Sequence, residues 1–321
     1  MTILLSMLTL TLIFSTPIII TALGGLFSER AGVVNIALEG LMMIGGFAAA
    51  TSIVFLEKAF PIGIGKLLVP WMAIIIGMLI AGIVSLLHAY MSINLQSDQV
   101  ISGTAINIFA IGITIYLSQI IFNQQRTQTF KSGFIKTTYP GLSEIPIIGD
   151  IFFTNMYPTV FVALILVVIT WYIVYKTRFG LRMRATGENP HAADSMGINV
   201  YKMRYIGVIL SGCLAGLGGG IMVLTQDTQY TIMSIHGTGF IALAALIFGK
   251  WKPAGVLGAG LFFGFSQILS VYSKNVSFLA RFPYEFFLAF PYVLTIIALV
   301  IFSGKAVGPK AAGEPYDKAK R

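Results

Sequence analysis

Few places in this chain could carry chemistry. Glu39 and Glu285 are the acids that stand inside long apolar runs, and Asn35 precedes Glu39 by four residues in AGVVNIALEGLMMIGGFAAA. On a helix, an i, i+4 pair projects from one face. Polar groups at membrane depth are costly enough that they turn toward a bundle interior or a wet path. The pair, flanked by Gly40, Gly45 and Gly46, therefore suggests a close-packed or broken helix and reads either as the wall of a water-filled path or as a tie across neighbouring helices. Asn107 and Gln99 are further amides of the same kind. Gln99 and Asp98 also stand where a helix starts, and Glu285, beside Pro283 and Tyr284, reads as a headgroup-level acid at a helix N-terminus.

Other chemistry is missing. Gly63-Ile64-Gly65-Lys66 is followed by Leu67 and lacks the upstream glycine of a phosphate-binding loop, so this chain does not hydrolyse ATP alone. His88, His191 and His236 are scattered with no HExxH, and no Gly-x-Ser-x-Gly elbow is present. Cys213 is the single cysteine, which excludes an intrachain disulfide and a cysteine metal site. No catalytic, cofactor-binding or metal-binding residue is assigned.

The elements that must position these residues follow from composition. The 321 residues are 56% hydrophobic and 10% charged, with a mean hydropathy of +0.86. So few charges cannot clothe a water-soluble domain, and the bilayer is the expected solvent. Apolar runs near 3–27, 33–55, 67–91, 100–122, 158–175, 205–224, 238–249, 254–272 and 284–302 predict an all-α, polytopic membrane bundle of about nine helices, with eight to ten open. The 238–249 run is too short to cross and reads as a half-span or re-entrant piece. The first run lacks a basic start and a cleavage site and reads as a retained helix.

Fourteen of the 21 Lys and Arg gather on the side of Arg30, the 176–204 loop, Lys250 and the C-terminal tail. The positive-inside bias makes that side cytoplasmic, with the N-terminus and the 123–157 loop outside. The net charge of +9 is thus explained by orientation, and nucleic acid is not expected as a partner. Residues 1–303 form the transmembrane domain and 304–321 a basic cytoplasmic tail.

The 176–204 loop is the most distinctive polar segment. Asn189 reads as a helix N-cap, Pro190 as its first residue and Gly197 as the stop beyond its end. A short helix lying along the basic face suits docking, or alternatively contact with anionic lipid. Gly212, Gly216 and Gly220 in one run, and Gly260 and Gly264 in another, predict close helix approach.

Three stretches together resemble the permease subunits of ABC importers in the branched-chain amino acid, ribose and nucleoside group: Gly32-Val33-Val34-Asn35-Ile36-Ala37-Leu38-Glu39-Gly40, Arg184 to Ile198, and Gly239 to Gly249. With the Ser28-Glu29-Arg30 lead-in, the chain is most similar to nucleoside permeases. Sugar and branched-chain amino acid permeases remain alternatives. A proton-coupled carrier in which Glu39 titrates is the rival from another class.

The resemblance implies that 186–198, with Arg184, Gly187, Asn189, Pro190, Ala192, Ala193 and Gly197, couples to an ATPase. It also implies that Asn35, Glu39, Asn107 and Gln99 lie along the substrate path. The implied partners are an ATPase that binds ATP and Mg, a second permease and an extracytoplasmic binding lipoprotein. The implied location is a bacterial plasma membrane. Many members of the group carry a basic N-terminus and an extra first helix, whereas no charged side chain precedes Glu29 here.

Overall fold

A computed structural model describes residues 2–60, 64–146, 148–272 and 308–318, with scattered positions between 289 and 297. The described chain is a helical bundle. Its helices are α1 (Thr2–Arg30), α2 (Leu38–Ala59), α3 (Ile64–Ala89), α4 (Gln99–Phe122), α5 (Ile148–Phe152), α6 (Pro158–Lys176), α7 (Arg178–Glu188), α8 (Pro190–Ser195), α9 (Val200–Gln226), α10 (Thr238–Phe248) and α11 (Pro253–Tyr272). Seven of these segments are long and apolar enough to cross a membrane. With the short α10, they account for eight of the nine expected runs. The ninth, with Glu285, lies largely outside the described residues.

Helix α9 is the axis of the bundle, with α1, α2 and α3 packed around it. Its glycines explain how three helices reach it. A Cβ on Gly212 or Gly216 would collide with Ser85 or Ala81 of α3, and one on Gly219 would collide with the Met42 carbonyl of α2. Gly260 and Gly264 likewise admit Ile19 and Ser15 of α1 against α11. Without a hydrophobic drive between helices in lipid, such close backbone contact supplies the packing energy. Hydroxyls within α1 turn back on their own helix, with Ser15 Oγ donating to the Thr11 carbonyl at 2.6 Å and Thr16 Oγ1 to that of Leu12 at 2.9 Å.

By contrast, α3, α4 and α6 present apolar outer faces, with Ile83, Ile108 and Val168 all well exposed. Lipid or another membrane protein covers such faces.

Two interruptions shape the interior. The chain leaves α1 at Gly32, whose φ of +96° suits glycine, and stays irregular to Ala37 before α2 begins. From the far end of α9, residues 227–237 fold back into the bundle, with the Tyr230 ring buried edge-on to Phe47 at 5.6 Å. Gly237, at φ +80°, then starts α10. Its 11 residues rise about 16 Å, roughly half of a bilayer core, as expected for a half-span.

Between α4 and α6 the chain lies across the helix ends opposite the basic face. Glu57 Oε1 accepts from the Lys131 amide at 2.7 Å and from the Ser132 amide, and Tyr157 OH donates to the Thr225 carbonyl at 2.8 Å.

Candidate functional site

The irregular 31–37 segment corrects one expectation. Asn35 lies outside α2, so Asn35 and Glu39 share no helix face. An Asn side chain competes for backbone partners and favours a turn. Here Asn35 Oδ1 accepts from the Ala37 amide at 3.1 Å, while its Nδ2 donates to Ser211 Oγ of α9 at 2.8 Å.

Glu39 stands in the first turn of α2 and reaches the start of α10. Its Oε1 accepts from the Gly237 amide at 2.8 Å and its Oε2 from the Gly239 amide at 2.7 Å. One carboxylate thereby serves the electropositive ends of two helices. Asn107 closes the other side, accepting from the Gly40 amide at 2.8 Å and donating to the Ile36 carbonyl at 3.0 Å.

Gln99 Oε1 accepts from the Val34 amide at 2.7 Å, whereas its buried Nε2 has no hydrogen-bond partner among the described residues. His88, which the sequence offered only as a scattered histidine, bridges Ser102 Oγ at 2.9 Å and the Val34 carbonyl at 3.0 Å. Asp98 caps α4 through the Val100 and Ile101 amides at 2.8 and 3.0 Å. The side-chain oxygens of Asn35, Glu39, Asn107 and Gln99 all accept from backbone amides.

On the basic face, the 176–204 loop is two helices. Helix α7 precedes the expected short helix. The second, α8, is built as its sequence suggests: Asn189 Oδ1 accepts from the Ala192 amide at 3.0 Å, Pro190 is the first residue, and Gly197 turns at φ +77°.

The residues expected to couple divide into two sets. Gly187 and Ala193 are buried against the body, with Gly187 pressed on the Arg30 carbonyl, and the Arg184 guanidinium lies 5.2 Å over the Tyr175 ring. Asn189, Ala192 and Gly197 are exposed, beside His191, Ser195 and Met196, and Pro190 is half-buried. Met196 is 81% exposed, an apolar tip on a polar face. Sequence reasoning passed over it, although an apolar residue just ahead of a helix-stop glycine was a readable signal.

Residues 7–299 match a model of the branched-chain amino acid transport system / permease component family. The chain belongs to this permease family. It is 49% identical to the guanosine ABC transporter permease protein NupQ of Bacillus subtilis, over 97% of this chain and 96% of that protein. Identity to the nucleoside ABC transporter permease protein NupC of Lactococcus lactis is 44%, over 96% of each. A second Bacillus subtilis protein, the guanosine ABC transporter permease protein NupP, is 27% identical over 91% of this chain and 80% of its own length.

Around α7 and α8, the permease carries ties that its sequence did not announce. Trp251 Nε1 donates to Glu29 Oε2 at 2.5 Å, and Arg30 donates from Nε and one terminal nitrogen to the Trp251 carbonyl at 3.2 and 2.9 Å. The other terminal nitrogen of Arg30 lies 3.9 Å from Glu188, the last residue of α7. In the permease these contacts join the ends of α1, α7 and α10, three elements more than 50 residues apart in sequence. Such pairing over distance is what a single sequence does not reveal.

Proposed function

We propose that this permease is the membrane subunit of an ATP-driven importer of nucleosides. The observation that carries this reading is near-full-length similarity, at 49% and 44% identity, to a guanosine and a nucleoside permease. In this reading the basic face is cytoplasmic, in the plasma membrane of a bacterium. A binding protein delivers cargo to the opposite face, which 123–157 and 227–237 cover. An ATPase that holds ATP and Mg seats on α8, and its closure moves α7 and α8 as a lever against the body, switching access between the two sides. The exposed tip from Asn189 to Gly197 is the docking surface. Gly187, Ala193 and Arg184 transmit the push by packing.

The similarity to both NupQ and NupP, two guanosine permeases of one organism, favours pairing with a second, different permease. Asn35, Glu39, Asn107 and Gln99 hold the break beside the route in shape and leave cargo only weak contacts. A proton-coupled cycle on Glu39 is disfavoured because both carboxylate oxygens are committed to α10.

The test is uptake by the assembled transporter in vesicles, with guanosine, ribose and leucine as competitors. Nucleoside competition with strict dependence on ATP supports the reading, and competition by ribose or leucine alone overturns the substrate. Met196→Glu should cost about 1–3 kcal/mol of ATPase docking by burying an unpaired charge. Unchanged copurification of the ATPase would count against the docking surface.

A further inference from the structure

The last described segment, 308–318, was expected as a basic tail, yet it is laid against every element of the lever. The Ala311 amide donates to the Gly187 carbonyl at 2.8 Å, and Pro309 packs beside Gly187. Gly308 lies against the Trp251 ring, which itself holds Glu29 and Arg30. Further along, the Tyr316 ring is buried between Tyr201 of α9 and His191 of α8, with centroids 5.4 and 5.2 Å away. Lys318 ends the run 4.0 Å from Asp194 of α8.

At the middle of this contact stands Arg204, 1% exposed. One terminal nitrogen donates to the Glu314 carbonyl at 2.9 Å, its guanidinium lies 6.0 Å from the Tyr316 ring, and Gly32 leaves room for its other terminal nitrogen. Two of its nitrogens have no hydrogen-bond partner among the described residues. A guanidinium removed from water on such terms costs stability and stays buried because the packing around it compels it. The tail supplies that packing. Arg204 thereby sees the irregular 31–37 segment on one side and the tail on the other, so the break, α8 and α9 share one contact point.

We infer that residues 308–318 are a clasp, and that Arg204 and Tyr316 are positioning residues that join the lever to the broken span. A push on α8 passes through Tyr316 and Arg204 to Gly32, not only along the chain into α9. In this account the tail sets how much solute moves for each ATP. This inference rests on the importer reading above.

The test uses the complete transporter, purified with its ATPase and second permease. It is reconstituted with binding protein in phosphatidylethanolamine/phosphatidylglycerol vesicles and supplied with radiolabelled guanosine. The readout is guanosine taken up per ATP hydrolysed. Tyr316→Ala should keep the ATPase attached and hydrolysing while that ratio falls about five-fold or more, with the half-saturating guanosine concentration unchanged. Tyr316→Phe, which keeps the ring, should restore the ratio.

Lys318→Glu perturbs only the exposed end of the clasp and does not threaten folding. It should lower the ratio about two-fold, and Lys318→Arg, which keeps the charge, should hold it. Should Tyr316→Ala fail to assemble, Lys318→Glu against Lys318→Arg decides the matter. An unaltered ratio in the variants, or hydrolysis and uptake falling together, overturns the clasp while the importer stands. Guanosine uptake by the unmodified complex without ATP overturns both.

Discussion

The broken span and the basic face use polar groups in opposite ways. At the break, Glu39, Asn35 and Asn107 are buried and turn their oxygens to backbone amides at 2.7 to 3.1 Å, so removing any of these oxygens orphans a backbone donor. On the basic face, the Arg30–Glu188 and Lys318–Asp194 pairs are long, partly exposed and individually weak. The first region is a fixed joint, and at the second two slack ion pairs lie over the shorter Trp251–Glu29 and Arg204–Glu314 bonds. Substitutions at the joint should therefore cost folding, and those at the face should cost transport.

The largest effect is expected at Glu39. Glu39→Ala orphans the Gly237 and Gly239 amides together, at about 1–3 kcal/mol each, and should abolish a cooperative thermal transition in detergent. Glu39→Gln keeps one acceptor and should retain part of that stability. If Glu39→Ala melts like the unmodified protein, the joint is not fixed and the contrast fails. Next, Asn107→Ala should lower stability by about 2 kcal/mol through loss of the Gly40 and Ile36 contacts. Leu is no better a replacement, since it offers neither group.

On the other side, Asn189→Ala removes the cap of α8 and should cost about 1 kcal/mol of local helix stability. It should leave the melting transition in place while slowing ATP-driven uptake. A lowered melting temperature with normal uptake would reverse the proposed division of labour.

That division was only partly legible beforehand. Segments with a strong repeating signal came through, because twenty apolar residues mean a crossing helix whatever surrounds them. The half-span at α10 and the Asn189–Pro190 start of α8 are equally local signals. The sequence also picked Asn35, Glu39, Asn107 and Gln99 as a set, for polar cost in lipid is a property of the residue alone. What each does was not legible. Whether Glu39 faces water or the start of α10 depends on a segment 200 residues away. Reading Asn35 and Glu39 on one helix face tied any break to Gly40, Gly45 and Gly46, whereas the chain turns earlier, at Gly32. Arg204 stood out only as one basic residue of the 176–204 loop, and the tail that buries it gave no sign of docking.

The smallest chemical change, one added methyl, can be made in each region and sharpens the contrast. A Cβ on Gly239 would lie 2.5 Å from the Glu39 backbone, so Gly239→Ala must push α10 off its cap and should cost about 3 kcal/mol. A Cβ on Gly197 meets nothing within 4 Å, and its cost is confined to a φ of +77°, about 1 kcal/mol. Melting temperatures of the two alanine variants in the same detergent give the comparison directly. A Gly197→Ala effect as large as that of Gly239→Ala would show that the turn after α8 is as rigid as the joint, and that the lever moves with the body rather than against it.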